Sequence, residues 1–73
     1  MGFDFRWIEW NLAKIAAHGV TTGECEWVVQ RVKPSRSGEK YIASGRTMAG
    51  RRIRVIYVVD DPITMFVIPA YAV

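Results

Sequence analysis

The sequence predicts an α+β fold, with two N-terminal helices packed on one face of a small antiparallel β-meander sheet. Three observations predict it. Apolar residues recur with helical spacing in the first third of the chain. The stretch Arg52 to Val59 alternates with period two. The gaps between the later apolar runs are short, which favours hairpins over crossovers.

The N-terminal residues Gly2 to Phe5 alternate weakly, with Phe3 and Phe5 on one side. That fits a short edge strand or an extended arm laying two rings on the core. The first helix is expected from about Trp7 to His18. Its predicted apolar stripe is Ile8, Leu12, Ile15 and Ala16, at i, i+4, i+7 and i+8. Gly19 follows, where a left-handed residue ends a helix at least cost. Thr21 or Thr22 caps the second helix. Thr21 and Glu24 have capping-box spacing, and Val20 can act as the hydrophobic staple. Cys25, Val28, Val29 and Val32 are the second stripe.

Pro34 ends that helix, and Pro34 to Gly38 reads as turn and loop. Lys40 to Ser44 reads as a short strand. Arg52 to Val59 is the clearest strand, with Ile53, Val55, Tyr57 and Val59 on one face. Both faces become apolar toward its end, which predicts a central position. Asp60-Asp61-Pro62 is a turn. Thr64 to Ile68 is the last strand, and Pro69 weakens its continuation.

A chain of 73 residues makes one domain, 1–73. Its hydrophobic content of 51% is high for so small a core, so part of the apolar surface is expected to meet a partner or a second copy. Ten Lys and Arg against seven Asp and Glu is a mild basic excess, which permits nucleic-acid binding without demonstrating it. The single cysteine, Cys25, suits a reducing compartment and a buried position. No apolar run reaches membrane-spanning length, and the N-terminus lacks the pattern of a signal peptide. A cytoplasmic location is the expectation.

One histidine and one cysteine cannot furnish a zinc site, and no glycine-rich phosphate loop is present. No cofactor or metal is expected. Nothing in the spacing brings His18 to Cys25 or Ser44 as a nucleophile–base pair. What remains is a set of cations, carboxylates and rings. RNA cleavage by 2′-hydroxyl attack needs no metal. It needs a proton acceptor, a cation at the phosphate and a platform for bases. The chain supplies Lys14 and His18 on the first helix and Glu39 before a strand. Arg46, Arg51, Arg52 and Arg54 lie on or beside the central hairpin. Each also has a plainer reading: solvated charge on a sheet or hairpin for the arginines and Glu39, an exposed helical lysine, and a histidine bonding the last helix carbonyls.

The stretch Trp7 to Thr21, with its spaced Asn11 and Lys14 and then His18-Gly19-Val20-Thr21, resembles the BrnT toxins. So does Glu39-Lys40-Tyr41 through Gly45, Thr47, Gly50-Arg51, Ile53, Val55 and Tyr57. It is similar to that family's E-[RK]-Y-x3-G-x-T/S-x2-G-R-x-[LI]-x-V-x-[YF]. BrnT proteins are small ribonucleases of type II toxin–antitoxin systems with a RelE/ParE-like fold. The resemblance covers nearly the whole chain. It implies a RelE/BrnT-like fold and a metal-independent endoribonuclease. It also implies a cognate antitoxin of ribbon-helix-helix type and RNA as substrate, while the hydrophobic content by itself predicts a homodimer or a stable heteromer.

By the same resemblance Lys14, Glu39 and Arg51 would be catalytic. Glu39 would accept the proton, Arg51 would clamp the phosphate and Lys14 would supply a second cation. His18 matches the family's polar pattern and Arg46 falls at a position that varies among polar types, and both would bind RNA. Arg52 and Arg54 as hairpin cations, and Tyr71 through its hydroxyl or ring, are RNA-binding candidates on residue type. One departure stands out. The family's last strand usually ends I-S-A-R or I-H-A-R, and here Tyr71 occupies the arginine position. Loss of that cation implies weakened cleavage. Alternatives remain open: a catalytically silent BrnT-like protein-binding or regulatory module, or a generic small dimerisation domain.

Overall fold

A computed structural model describes residues 4–61 and 64–73. The elements run β1 (Asp4–Arg6), α1 (Glu9–Ala17), α2 (Thr22–Arg31), β2 (Ser35–Ser37), β3 (Lys40–Arg46), β4 (Arg52–Asp61) and β5 (Thr64–Ala72). The sheet has five strands in the order β1-β5-β4-β3-β2. Gly2, Phe3 and Pro62, which entered the sequence reading of the arm and the β4–β5 turn, lie outside the described residues.

The expected antiparallel meander needs correction: the sheet is five-stranded and mixed. β2 through β5 are successively antiparallel, but β1 pairs parallel with β5, with Asp4 opposite Thr64 and Arg6 opposite Phe66. The antiparallel inference rested on short connections, and those join only the later strands. β1 reaches β5 through both helices, a path long enough to allow a parallel partner.

Two strand readings also change. Ser35–Ser37, expected as loop, pairs with Ile42 to Lys40 as an edge strand, closed by the two-residue turn Gly38-Glu39. Gly38 sits at φ +64°, which such a turn favours. β5 also runs through Pro69. Val55 faces Ala70 while Tyr57 faces Val67, so Ile68 and Pro69 together oppose Ile56 in a bulge. β1 ends its pairing at Phe66, so the missing proline N–H breaks no ladder on that side.

The core joins Ile15, Val20, Cys25, Val28 and Val29 from the helical half to Ala43, Ile53, Val55, Tyr57, Met65, Val67 and Ala70 from the sheet. α2 covers β3 and β4, and α1 lies against β5. α2 starts with a complete capping box. Thr21 Oγ1 accepts from the Glu24 N–H, and Glu24 Oε1 accepts from the Thr21 N–H.

The α1 stripe is not the predicted one. Ile8, Leu12 and Ala16 are exposed, whereas Asn11 and Ile15 are buried. Asn11 is the reason. Its Oδ1 accepts from the Ile8 N–H at 2.7 Å, and its Nδ2 donates to the Arg6 carbonyl at 2.9 Å. A side-chain amide satisfied on both ends can be buried, and it ties the helix start to β1. The helix is thereby rolled so that its apolar flank faces outward.

No helix among the described residues is long and apolar enough to cross a membrane.

Candidate nucleic-acid interface

Alternation divides the sheet into a covered and an open face. Ala43, Ile53, Val55, Tyr57 and Val67 point to the helices, so Ser44, Arg46, Arg52, Arg54 and Ile56 point away. The open face is ordered in cross-strand rows. Arg46 faces Arg52. Ser44 faces Arg54, which faces Tyr71 across β4–β5. Ile42 faces Ile56.

α1 borders this face along β5. Trp10, Lys14 and His18 are spaced i, i+4 and i+8 and share one line on the helix. At one end of the line Trp10 stacks on Phe66, with centroids 6.0 Å apart. At the other, His18 meets Tyr71 at 5.9 Å. Lys14 lies between them, its Nζ 5.3 Å from the Trp10 ring centroid. The polar row therefore continues off the sheet, from Ser44 through Arg54 and Tyr71 to His18.

The electrostatics of this face are one-sided. Arg54 Nε donates to Ser44 Oγ at 3.2 Å, and Arg46 donates to the Gly50 carbonyl at 3.1 Å. Among the described residues none of Lys14, Lys33, Arg46, Arg52 and Arg54 has a carboxylate partner within ion-pair distance. Neighbouring like charges of this kind repel and favour a bound anion.

The residues named from the sequence separate into two groups. Lys14, His18, Arg46, Arg52, Arg54 and Tyr71 lie on the open face or along its α1 border. Glu39 and Arg51 do not join them. Glu39 is in the turn before Lys40, and Arg51 lies beyond the Arg46–Arg52 pair at the other end of β3. A strand rises about 3.3 Å per residue, so the length of β3 puts about 20 Å between those ends. The trio Lys14, Glu39 and Arg51 is not assembled as one catalytic centre.

Arg51 has structural work instead. Its guanidinium donates to the carbonyls of Gly19 at 2.7 Å and His18 at 3.2 Å, and it approaches Glu24 Oε1 at 3.9 Å. It thus fills the end of α1 that Gly19 terminates at φ +69° and lies beside the cap of α2. The plainer reading gave those carbonyls to the His18 ring. Arg51 supplies the cation, and the ring is left to meet Tyr71. Lys33, Ser35, Ser44 and Ile56 on the open face were not singled out by sequence reasoning as site residues. Their grouping depends on β2 pairing, for which the Pro-Ser-rich stretch carries no periodic signal.

Cys25 is buried, and burial followed by the charges of Glu24 and Glu26 pushes its thiol up to about 12. It is no nucleophile at neutral pH. Burial, with a smaller effect from Tyr41, also raises Tyr57. Among the described residues no three His, Cys, Asp or Glu side chains are grouped to hold a metal ion. No family model, curated protein or solved structure matches the chain.

Proposed function

We propose that the protein acts on RNA through the open face of its sheet, as the toxin half of a type II toxin–antitoxin pair and a metal-independent endoribonuclease. One observation carries the reading. The row Ser44–Arg54–Tyr71–His18 sets a guanidinium, a phenol and an imidazole side by side on a face where Lys14, Lys33, Arg46, Arg52 and Arg54 have no carboxylate partner among the described residues. The BrnT resemblance of the sequence points the same way. With Glu39 remote, His18 is the residue to take the proton from a 2′-hydroxyl. The 2′-oxygen then attacks phosphorus, the P–O5′ bond breaks, and water protonates the leaving 5′-oxygen. Arg54 stabilises the charge gathering on the phosphoryl oxygens. The exposed Leu12 on α1 and Ile8 at its N-cap provide apolar surface for the antitoxin.

The reading is tested with a labelled single-stranded RNA in EDTA. Slow cleavage is expected, abolished in His18→Ala and in Arg54→Ala. Binding without cleavage would favour the silent binding module, for which the displacement of Glu39 and the tyrosine at position 71 already speak. Absence of both binding and cleavage at low salt would remove the RNA reading.

A further inference from the structure

The open face holds more than phosphate-binding charge. Between β2 and β5 it sinks into an open cavity of about 410 Å3. The floor is the cross-strand pair Ile42 and Ile56, both half-buried. The Tyr71 ring forms one wall, the hydroxyls of Ser35 and Ser44 line the sides, and Arg54 and Lys33 supply the charge.

One feature is unexplained by a simple phosphate clamp, and a second positions the clamp itself. An apolar floor amid cations attracts no bare anion and leaves isoleucine surface wet. Arg54 is also held in only one way: its Nε bonds Ser44, and no other hydrogen bond or ion pair engages it among the described residues. The bond aims the guanidinium while both Nη nitrogens stay available for a bidentate phosphate.

We infer that this cavity is a nucleobase subsite, holding one unpaired nucleotide of an RNA strand. The base lies on Ile42 and Ile56 against Tyr71, its polar edge reaches Ser35 or Ser44, and its phosphate sits on Arg54. The inference rests on the RNA reading above and adds to it a requirement for the base. The volume falls in the range of small-ligand pockets, about 300–1,000 Å3, and suits one base. A base inside a duplex cannot enter a pocket in a sheet, so the strand must be single. The Arg46–Arg52 row lies two residues along from the Ser44–Arg54 row, about 7 Å by strand rise, and offers a place for the neighbouring phosphate.

The test is fluorescence anisotropy at low salt with an uncleavable 2′-O-methyl ten-mer and the same ten-mer made abasic. The base-bearing strand should bind about 10-fold tighter, in keeping with about 1–3 kcal/mol per stacked base. Ser35→Trp, on the exposed edge strand, fills the cavity and leaves every cation in place. It should reduce the base-bearing strand to the abasic affinity and leave the abasic strand unchanged. Ile42→Ser with Ile56→Ser should do the same in protein shown to be folded by circular dichroism. Equal binding of the two strands by the unmodified protein, or indifference of both variants, would overturn the subsite and leave the RNA reading standing. No binding of either strand would overturn both.

Discussion

The Arg51 guanidinium donates to the His18 carbonyl at 3.2 Å and to the neighbouring Gly19 carbonyl at 2.7 Å. One side chain from the β3–β4 hairpin thus closes the end of α1. It also fixes where the His18 imidazole begins its reach toward Tyr71. The fold and the candidate site meet in this contact, because the backbone that Arg51 holds carries the only histidine of the chain.

Arg51→Ala should therefore act on stability first. Charge-assisted hydrogen bonds contribute about 1.5–3 kcal/mol each. The guanidinium is more than a third exposed, which lowers the expected loss to about 1–2 kcal/mol in urea unfolding. Arg36→Ala removes an exposed bond to the Gly38 carbonyl and should cost under about 0.5 kcal/mol. Equal effects of the two substitutions would show that Arg51 does not brace the helix end. Arg51→Ala should also shift the NMR signals of the His18 ring, since its anchor is lost.

The contact between α2 and β3 is set by a missing side chain. A Cβ added at Gly45 would stand 2.7 Å from Val32 Cγ1. Gly45→Ala should lower stability by about 1–3 kcal/mol through overpacking. Trimming the opposing residue relieves the clash, so Gly45→Ala with Val32→Ala should lose less than the sum of the two single changes. Thermal unfolding of the four proteins closes this cycle, and strict additivity would show that the two positions do not touch.

Cys25 predicts an alkaline weakness. Burial, then the charges of Glu24 and Glu26, raises its folded-state value from the ordinary 9.0 to about 12. Across that interval the folded chain keeps a proton that the unfolded chain gives up. The contribution is fully present below about pH 9 and is lost as pH climbs toward 12, at no more than about 1.4 kcal/mol per pH unit. Tyr57, raised chiefly by burial, acts in the same direction. Stability measured from pH 8 to 11 should fall, and less steeply in Cys25→Ala. A slope unchanged by that substitution would contradict the assignment. The thiol should also resist alkylation at pH 8 until the protein is unfolded.

Local signals were legible in the sequence, and long-range ones were not. The Thr21–Glu24 box, the Gly19 stop, the Val28-Val29 stripe and the β4 alternation depend on neighbours within a few residues, and each is read directly from spacing. The burial of Asn11 depends on a carbonyl donated by β1. The continuation of β5 through Pro69 depends on an edge that β1 leaves unpaired. The strand at Ser35–Ser37 exists because β3 offers it an edge. None of these has a periodic trace. The open-face cations were each visible as candidates, yet their grouping, and the exclusion of Glu39 and Arg51 from it, is a matter of strand register.

Tyr71 is the sharpest place to intervene. It lies between Arg54 across the ladder and His18 at the end of α1, and under the proposed BrnT reading it replaces an arginine. Tyr71→Arg adds a second guanidinium beside the one on Arg54. Without ligand the two charges repel, so stability should fall slightly. Under the proposed RNA reading they would share a phosphate, and charge stabilisation there would rise. One preorganised donor is worth ~10²–10³ in rate, so cleavage in EDTA should rise by at least 10-fold. Tyr71→Phe keeps the ring against the base and should leave binding of single-stranded RNA nearly unchanged. Tyr71→Ala removes the wall and should weaken it. A Tyr71→Arg protein that folds, binds RNA more tightly and still does not cut it would show that this face holds RNA without acting on it.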